Sequence, residues 1–480
     1  MLHNRMLCVL CIIGALSLLS GCAELQPYHT GNAISSTSGP STAGATSSTS
    51  PCYEPAAAVP NDVCVRFVEY DDFGNLFNRA QQDQTVEAAA RVAATGGIVV
   101  VFTHGWKHNA RQDDPNLISF HAAMQQVRTV YRQISPKGRR EILGIYVGWR
   151  GASLKLPVLD NITFWERKTT AQAVGDGAVF ELFRKLANHR VAHPTSRLVL
   201  IGHSFGAAIT YSSVSHSILS QIIDDPYPDD RTSTDASTVN EGKRWDMVVL
   251  INPAFEAMQL RPHLSMARSR RYKDNQLPHL IMITSKADWA TGKTFPAGRF
   301  ARSLLNKYSD DAPAAMYRSA VGHYLPFVTH QLTVQPACPS PQVANRPVQA
   351  AAPDALAQPA TKPGQTCFDD PRTLYRAPAA TPAAAAAAAA STPAVMLTRC
   401  DAPGDCKAVA DQHHMDAPPD MPIWNIRTTR DLMSDHNDIW NPTMHSFLVQ
   451  LVLSIVERGT PAAAPVPAAA ASAVAALPLP

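Results

Sequence analysis

The chain has 480 residues, with 42 Lys and Arg against 39 Asp and Glu for a net charge of +3. So even a balance, with no basic tract, argues against nucleic acid as a partner. The length suits two or three domains, but Gly31 to Pro60, Gln335 to Asp420 and everything after Gly459 are dominated by Pro, Ala, Ser and Thr. Such segments bury little apolar surface. The folded body is therefore expected to be about 300 residues in two sequence pieces, enough for one large α/β core.

In chain order, Arg5 precedes an apolar stretch from Leu7 to Leu19 that is too short for a good membrane span and reads as an export signal. It ends in Leu19-Ser20-Gly21-Cys22. That tetrapeptide resembles the lipobox of bacterial lipoproteins. The resemblance implies that residues 1–21 are removed and that Cys22 becomes a lipid-modified terminus on the membrane. With Ala23 rather than aspartate next, the expected location is the outer membrane, facing the periplasm. Residues 22–60 then form a lipidated tether. Without Cys8, Cys11 and Cys22, the cysteines left are Cys52, Cys64, Cys338, Cys367, Cys400 and Cys406. An even set suits disulfides in an oxidising compartment, and pairing nearest neighbours is the simplest of the possible connectivities. No CxxC spacing points to zinc.

Val63 to Tyr70 reads as an opening strand. Strand-like runs follow at Gly97 to Phe102, Ile142 to Gly148, Leu198 to Ile201, Met247 to Asn252, Leu280 to Thr284 and Ile423 to Thr428. Amphipathic stretches at Thr85 to Ala94, Asn116 to Ser135, Thr169 to Asn188, Phe205 to Ile223 and Pro442 to Arg458 alternate with them. This is the pattern of stacked βαβ units. It predicts an α/β fold with a doubly wound, mostly parallel sheet, helices on both faces and a long Pro/Ala-rich insertion at 335–420. Gly151 to Lys168 and Glu256 to Pro278 fall between core elements and are expected to cap the sheet edge. The final helix is well marked: Asn441 caps it, Pro442 opens it, and Met444, Phe447, Leu448, Leu451, Val452 and Ile455 share one face.

Arg197 to Ile209, RLVLIGHSFGAAI, sets a Gly-x-Ser-x-Gly motif between a strand pattern and a helix pattern. Ser204 falls at the turn, where Gly202 and Gly206 allow close backbone approach and the helix start behind it favours negative charge. GHSFG resembles the nucleophile elbow of the α/β-hydrolase superfamily, and the resemblance covers Val63 to Val334 plus Met421 to Arg458. YDDFGNLFNRAQ, FTHGWKHNA and IYVGWRG look like passages from a bacterial group of lipase-like or esterase-like proteins. Ala207 stands where a further small glycine is frequent, and the acid and histidine are unusually far apart.

The superfamily's chain order is Ser, acid, His. Asp288, just past the strand Leu280 to Thr284, is the first choice for the acid and Glu256 the reserve. His436, in the polar loop before the last helix, is the first choice for the base, with His323 as its competitor. The oxyanion donors implied by the resemblance are the N–H groups of Phe205, after the nucleophile, and of Trp106 in His104-Gly105-Trp106. Trp106, Trp149 and Trp289 each follow a strand on one edge, where they would either wall an acyl pocket or pack beneath a cap.

These residues point to a serine hydrolase cleaving carboxylic esters, lipid esters among them, through an acyl-enzyme. It would require neither metal nor cofactor. An acyltransferase, thioesterase or amidase using the same triad is the nearest alternative. A non-catalytic lipoprotein binding module on the same scaffold is the other.

Overall fold

Strand residues that alternate between two hydrophobic cores make the centre of the molecule. In Ile98-Val99-Val100-Val101-Phe102 the first, third and fifth side chains enter one core and the other two enter the second, because successive strand side chains point to opposite faces. The computed structural model describes residues 26–29, 52–53, 63–134, 140–151, 160–224, 244–270, 272, 278–303, 311–335, 358–359, 365–368, 394–400 and 421–458. The export signal, Cys22, the alanine run at 383–390 and the tail after Gly459 lie outside them.

The strands are β1 (Cys64–Glu69), β2 (Ile98–Thr103), β3 (Ile142–Gly148), β4 (Arg197–His203), β5 (Met247–Ile251), β6 (Leu280–Ser285), β7 (His330–Gln335), β8 (Gln358–Pro359), β9 (Gln365–Phe368), β10 (Ala394–Arg399) and β11 (Ile423–Thr428). The helices are α1 (Arg79–Ala94), α2 (Pro115–Ile134), α3 (Asp160–Asp176), α4 (Ala178–Ala192), α5 (Phe205–Asp224), α6 (Ala257–Arg268), α7 (Phe295–Ser303), α8 (Asp311–Arg318) and α9 (Pro442–Arg458). The described strands form one 11-stranded sheet in the order β1-β3-β2-β4-β5-β6-β11-β7-β10-β9-β8. Neighbours from β1 through β7 in that order are parallel, and only the β10-β9-β8 extension is antiparallel. Side chains of α2 and α9 fill the core on one face, and those of α1, α3, α4, α5 and α6 fill the other. The expected α/β class, with a mostly parallel sheet covered on both faces, is what the chain adopts.

Several local expectations are corrected. Of Glu256 to Pro278, residues 257–268 form α6 and do not cap the sheet but bury Leu260, Leu264 and Ala267 in the main core, a helical spacing obscured in the sequence by Pro262 and by charges; 271 and 273–277 lie outside the described residues. Of Gly151 to Lys168, residues 160–168 open α3, while 152–159 lie outside the described residues. The helix expected over Thr169 to Asn188 is two helices, broken at Gly177, where Ala178 N–H donates to Gly74 O at 2.8 Å. Helix α1 starts earlier than Thr85 because the Asn78 side chain caps Gln81 N–H at 3.2 Å.

The insertion after Gln335 contributes β8, β9 and β10, with Cys367, Val395 and Leu397 buried. β11 returns beside β7, with Ile426 opposite His330, so the second sequence piece completes the same sheet. The 22–60 segment is not tether throughout. His29 and Tyr53 are buried against β1, and Cys52 is bonded to Cys64. Cys367 and Cys400 are also disulfide-bonded.

At the amino end of the sheet, away from the loops described next, Asp246 is buried and accepts Arg190 Nε and Nη2 at 2.7 and 2.9 Å and Leu198 N–H at 2.8 Å. Removing one partner of such a buried pair strands the other charge. Asp246→Ala should cost roughly 3–5 kcal/mol in urea denaturation.

Candidate active site

β4 ends at His203 and α5 begins at Phe205, which leaves Ser204 alone in the turn with φ of 55°. A left-handed non-glycine residue persists only where its surroundings over-determine it. Here Ser204 N–H donates to Ile251 O at 2.9 Å, and Ser204 O accepts Ala207, Ala208 and Ala254 N–H. The loop after β2 presses directly on the turn. A Cβ on Gly206 would lie 2.2 Å from Thr103 O, and one on Gly105 would lie 2.9 Å from Ser204 Cβ. Only glycines fit at these two contacts. The connections leaving β2 and β4 go to opposite faces of the sheet, so the turn occupies the crevice where α/β sheets bind ligands.

His436 belongs to the loop between β11 and α9. Its backbone O accepts His203 Nε2–H at 2.9 Å and Asn252 Nδ2–H at 2.9 Å. Ser285 Oγ–H donates to Met433 O at 2.6 Å, which fixes the start of the same loop. Held this way, His436 places Nε2 2.7 Å from Ser204 Oγ and Nδ1 2.8 Å from Asp288 Oδ1. Asp288 lies just past β6, and both its oxygens are occupied: Oδ1 also accepts Thr291 N–H at 3.1 Å, and Oδ2 accepts the Thr291 hydroxyl. Burial pushes the Asp288 carboxyl up, but the His436 charge and the hydrogen bonds from His436 and Thr291 outweigh it and hold the group at about 2. An ionised Asp288 can only accept, so His436 donates from Nδ1 to the carboxylate and its Nε2 faces the serine hydroxyl.

The structure thus brings Ser204, His436 and Asp288 into one hydrogen-bonded line and leaves the two reserve residues elsewhere. His323 Nε2 lies 2.9 Å from Thr291 Oγ1, on the far side of Asp288. It reaches the acid through Thr291 and makes no hydrogen bond to Ser204. Glu256 sits at the start of α6 between Lys168 Nζ and Arg299 Nε, each at 3.0 Å, and accepts Gln259 Nε2 at 2.6 Å. That buried ion-pair cluster holds α3, α6 and α7 together and does not orient a histidine.

Phe205, with a fully buried ring, is the first residue of α5, and Trp106 is half-buried in the loop that presses on the turn. The three tryptophans do not form one wall. Trp149 is buried, donating from Nε1 to His104 O at 2.9 Å and from its N–H to His104 Nε2 at 3.2 Å. Trp289 is 62% exposed. Sequence reasoning missed His203, Asn252, Ser285 and Thr291, which position the histidine and the acid. Asn252 and Ser285 close parallel strands at the edge that carries the site, which was the available signal. Among the described residues no cluster of His, Cys, Asp and Glu could hold a metal ion.

No family model matches the chain, and neither does any curated protein. One solved structure that is matched is phospholipase PlaB from Legionella pneumophila in complex with thio-NAD, at 14% identity and a TM-score of 0.17. The match covers 50% of this chain and 46% of that one, so the chain spans about half the length of that protein. A likeness at that level carries no weight for fold or function.

Burial lowers His104 and His323 to about 4. Both therefore stay neutral in the folded state at pH 5, while the unfolded chain protonates them below about 6.5. The contribution of these two histidines to stability is whole above the unfolded value, is lost as pH drops from about 6.5 to about 4 and changes no further below that, with a slope of about 1.4 kcal/mol per pH unit for each proton. Urea midpoints measured across that range check the sign.

Proposed function

We propose that this protein is a serine hydrolase that cleaves carboxylic esters through an acyl-enzyme, and that it is carried on a membrane by lipid on Cys22. The observation that carries the reading is the continuous line from Ser204 Oγ through His436 to Asp288, at 2.7 and 2.8 Å. A hydroxyl is a weak nucleophile until a base within hydrogen-bond reach takes its proton, and the base needs an acid to hold its tautomer.

In the reaction, Ser204 Oγ attacks the ester carbonyl carbon as its proton passes to His436 Nε2. Asp288 stays ionised and stabilises the imidazolium through Nδ1–H. The oxyanion takes the N–H groups of Phe205 and Trp106, the first at the start of α5, where the helix dipole favours negative charge. Collapse of the tetrahedral species breaks the C–O bond, and the leaving alcohol takes the proton from Nε2. Water then repeats the sequence on the acyl-enzyme and frees the acid. Ser204 has no exposed surface, so the charges meet in a site shielded from bulk water, where fixed donors act most strongly.

A fluorophosphonate probe should label the wild-type protein and leave Ser204→Ala unlabelled; labelling that survives the substitution refutes the assignment. Asp288→Asn should lower kcat for p-nitrophenyl esters by about 10⁴-fold through the wrong histidine tautomer, with KM nearly unchanged. The same variant should lose the part of the stability that the wild type sheds between about pH 4 and 2, because the Asp288 carboxyl is lowered on folding to about 2. Thermal melts over that interval read the difference.

A further inference from the structure

The amino-terminal segment joins the folded body much sooner than a flexible tether from Cys22 would. Tyr28 and His29 N–H both donate to the Glu69 carboxylate at 2.8 Å, and His29 Nδ1 lies 3.0 Å from Glu69 Oε1. The His29 ring stacks on Phe67 at 3.7 Å, and Gln81 Nε2 donates to His29 O at 3.2 Å. Glu69 is the last residue of β1 and stands opposite Gly148 at the end of β3. This anchor therefore lies at the carboxyl end of the sheet, the edge that carries Ser204. Seven residues of fully extended chain from Cys22 to His29 reach about 25 Å at most. A lipid on Cys22 would keep that edge close to the bilayer.

The same edge exposes two large aromatic side chains, Phe73 at 74% and Trp289 at 62%. Phe73 does not ride on a loose loop. Asp71 Oδ1 accepts Phe73 and Asn75 N–H at 2.9 and 2.8 Å, and the neighbouring Asp72 is paired with both Arg150 and Arg167. Phe73 follows β1 and Trp289 follows β6, on either side of β4. At about 4.8 Å per strand, the strands that lead into them lie roughly 14 and 10 Å to the two sides of β4. Singly exposed apolar side chains are ordinary on a protein surface; what sets this pair apart is its place on the edge to which the segment from Cys22 is tied, and aromatic side chains with Trp foremost are favoured at the level of lipid headgroups.

We propose that the mature protein lies with the carboxyl edge of its sheet against the bilayer. The Tyr28–His29 anchor and the lipid on Cys22 fix that orientation, and Phe73 and Trp289 enter the interface on either side of the serine. The esters it hydrolyses are then lipid esters of the membrane that holds it. The lipid supplies the attachment, and the aromatic pair sets which face meets the bilayer. The proposal rests on Cys22 being lipidated and on the hydrolase reading of Ser204.

Its test uses the full-length lipidated protein in phosphatidylcholine and phosphatidylglycerol vesicles with brominated acyl chains. Bromolipid should quench the tryptophan fluorescence, and Trp289→Phe should lose most of that quenching. A Gly/Ser linker inserted between Leu25 and Gln26 lengthens the leash without touching the anchor and should lower the quenching. Phe73→Ser should keep wild-type turnover of a soluble p-nitrophenyl ester but lose most of its turnover of a vesicle-borne ester. Quenching that is equal in the wild type and Trp289→Phe, or unchanged by the linker, overturns the proposal, as does a Cys22→Ser protein that binds vesicles as well as the wild type. Quenching needs no turnover. A protein that docks in this way but hydrolyses neither ester refutes the hydrolase reading and leaves the orientation standing.

Discussion

Parallel register is the constraint on which the rest of the structure depends. Because β2, β4, β5, β6 and β11 point the same way, their carboxyl ends deliver the 104–106 loop, Ser204, Asn252, Asp288 and the His436 loop to one edge. Nothing in the local sequence of any one strand arranges that meeting. It follows from the hydrogen-bonded ladder, which sets each strand end within one strand spacing of the next.

The line of Ser204, His436 and Asp288 is a thin structure on a thick support. Two donors from separate strand ends, His203 and Asn252, hold the backbone carbonyl of His436, while Thr291 donates its N–H to the carboxylate oxygen that the histidine shares and its hydroxyl to the other. A side chain held only by its catalytic partner drifts, and small misplacements reduce rates steeply. Here the imidazole is fixed through its own main chain, and the acid is fixed from behind. His323 extends that rear support through Thr291 and stays neutral in its buried site.

The central strands were legible because they are buried on both faces and read as short continuous apolar runs. Ser204 was legible because its turn needs glycines at set offsets. Asp288 and His436 stand out through the resemblance, which sets the acid after a strand and the histidine before the final helix, and the structure places them 2.8 Å apart. What escaped detection depends on partners distant in the chain. Glu256 resembles a spare acid until Lys168 and Arg299 arrive from other helices. Helix α6 was misread as a cap because Pro262 and exposed charges break its pattern, although its apolar face packs on the core. β9 and β10 hide in Pro/Ala-rich surroundings because pairing on an edge strand needs only a few apolar residues at the right register.

β1 is an end strand of the sheet, paired on one side to β3. Its other side receives Tyr53, whose N–H donates to Val65 O at 2.8 Å, and the Cys52–Cys64 bond ties that contact down. An open edge is a template for joining a second chain. Bonds of the kind that covers this one form and persist in oxidising surroundings. Without that bond, the Tyr53 contact with β1 would rest on noncovalent interactions alone. Cover for this open edge is therefore chemical as well as steric: it combines a main-chain hydrogen bond with a covalent bond whose persistence follows the redox state of the surroundings.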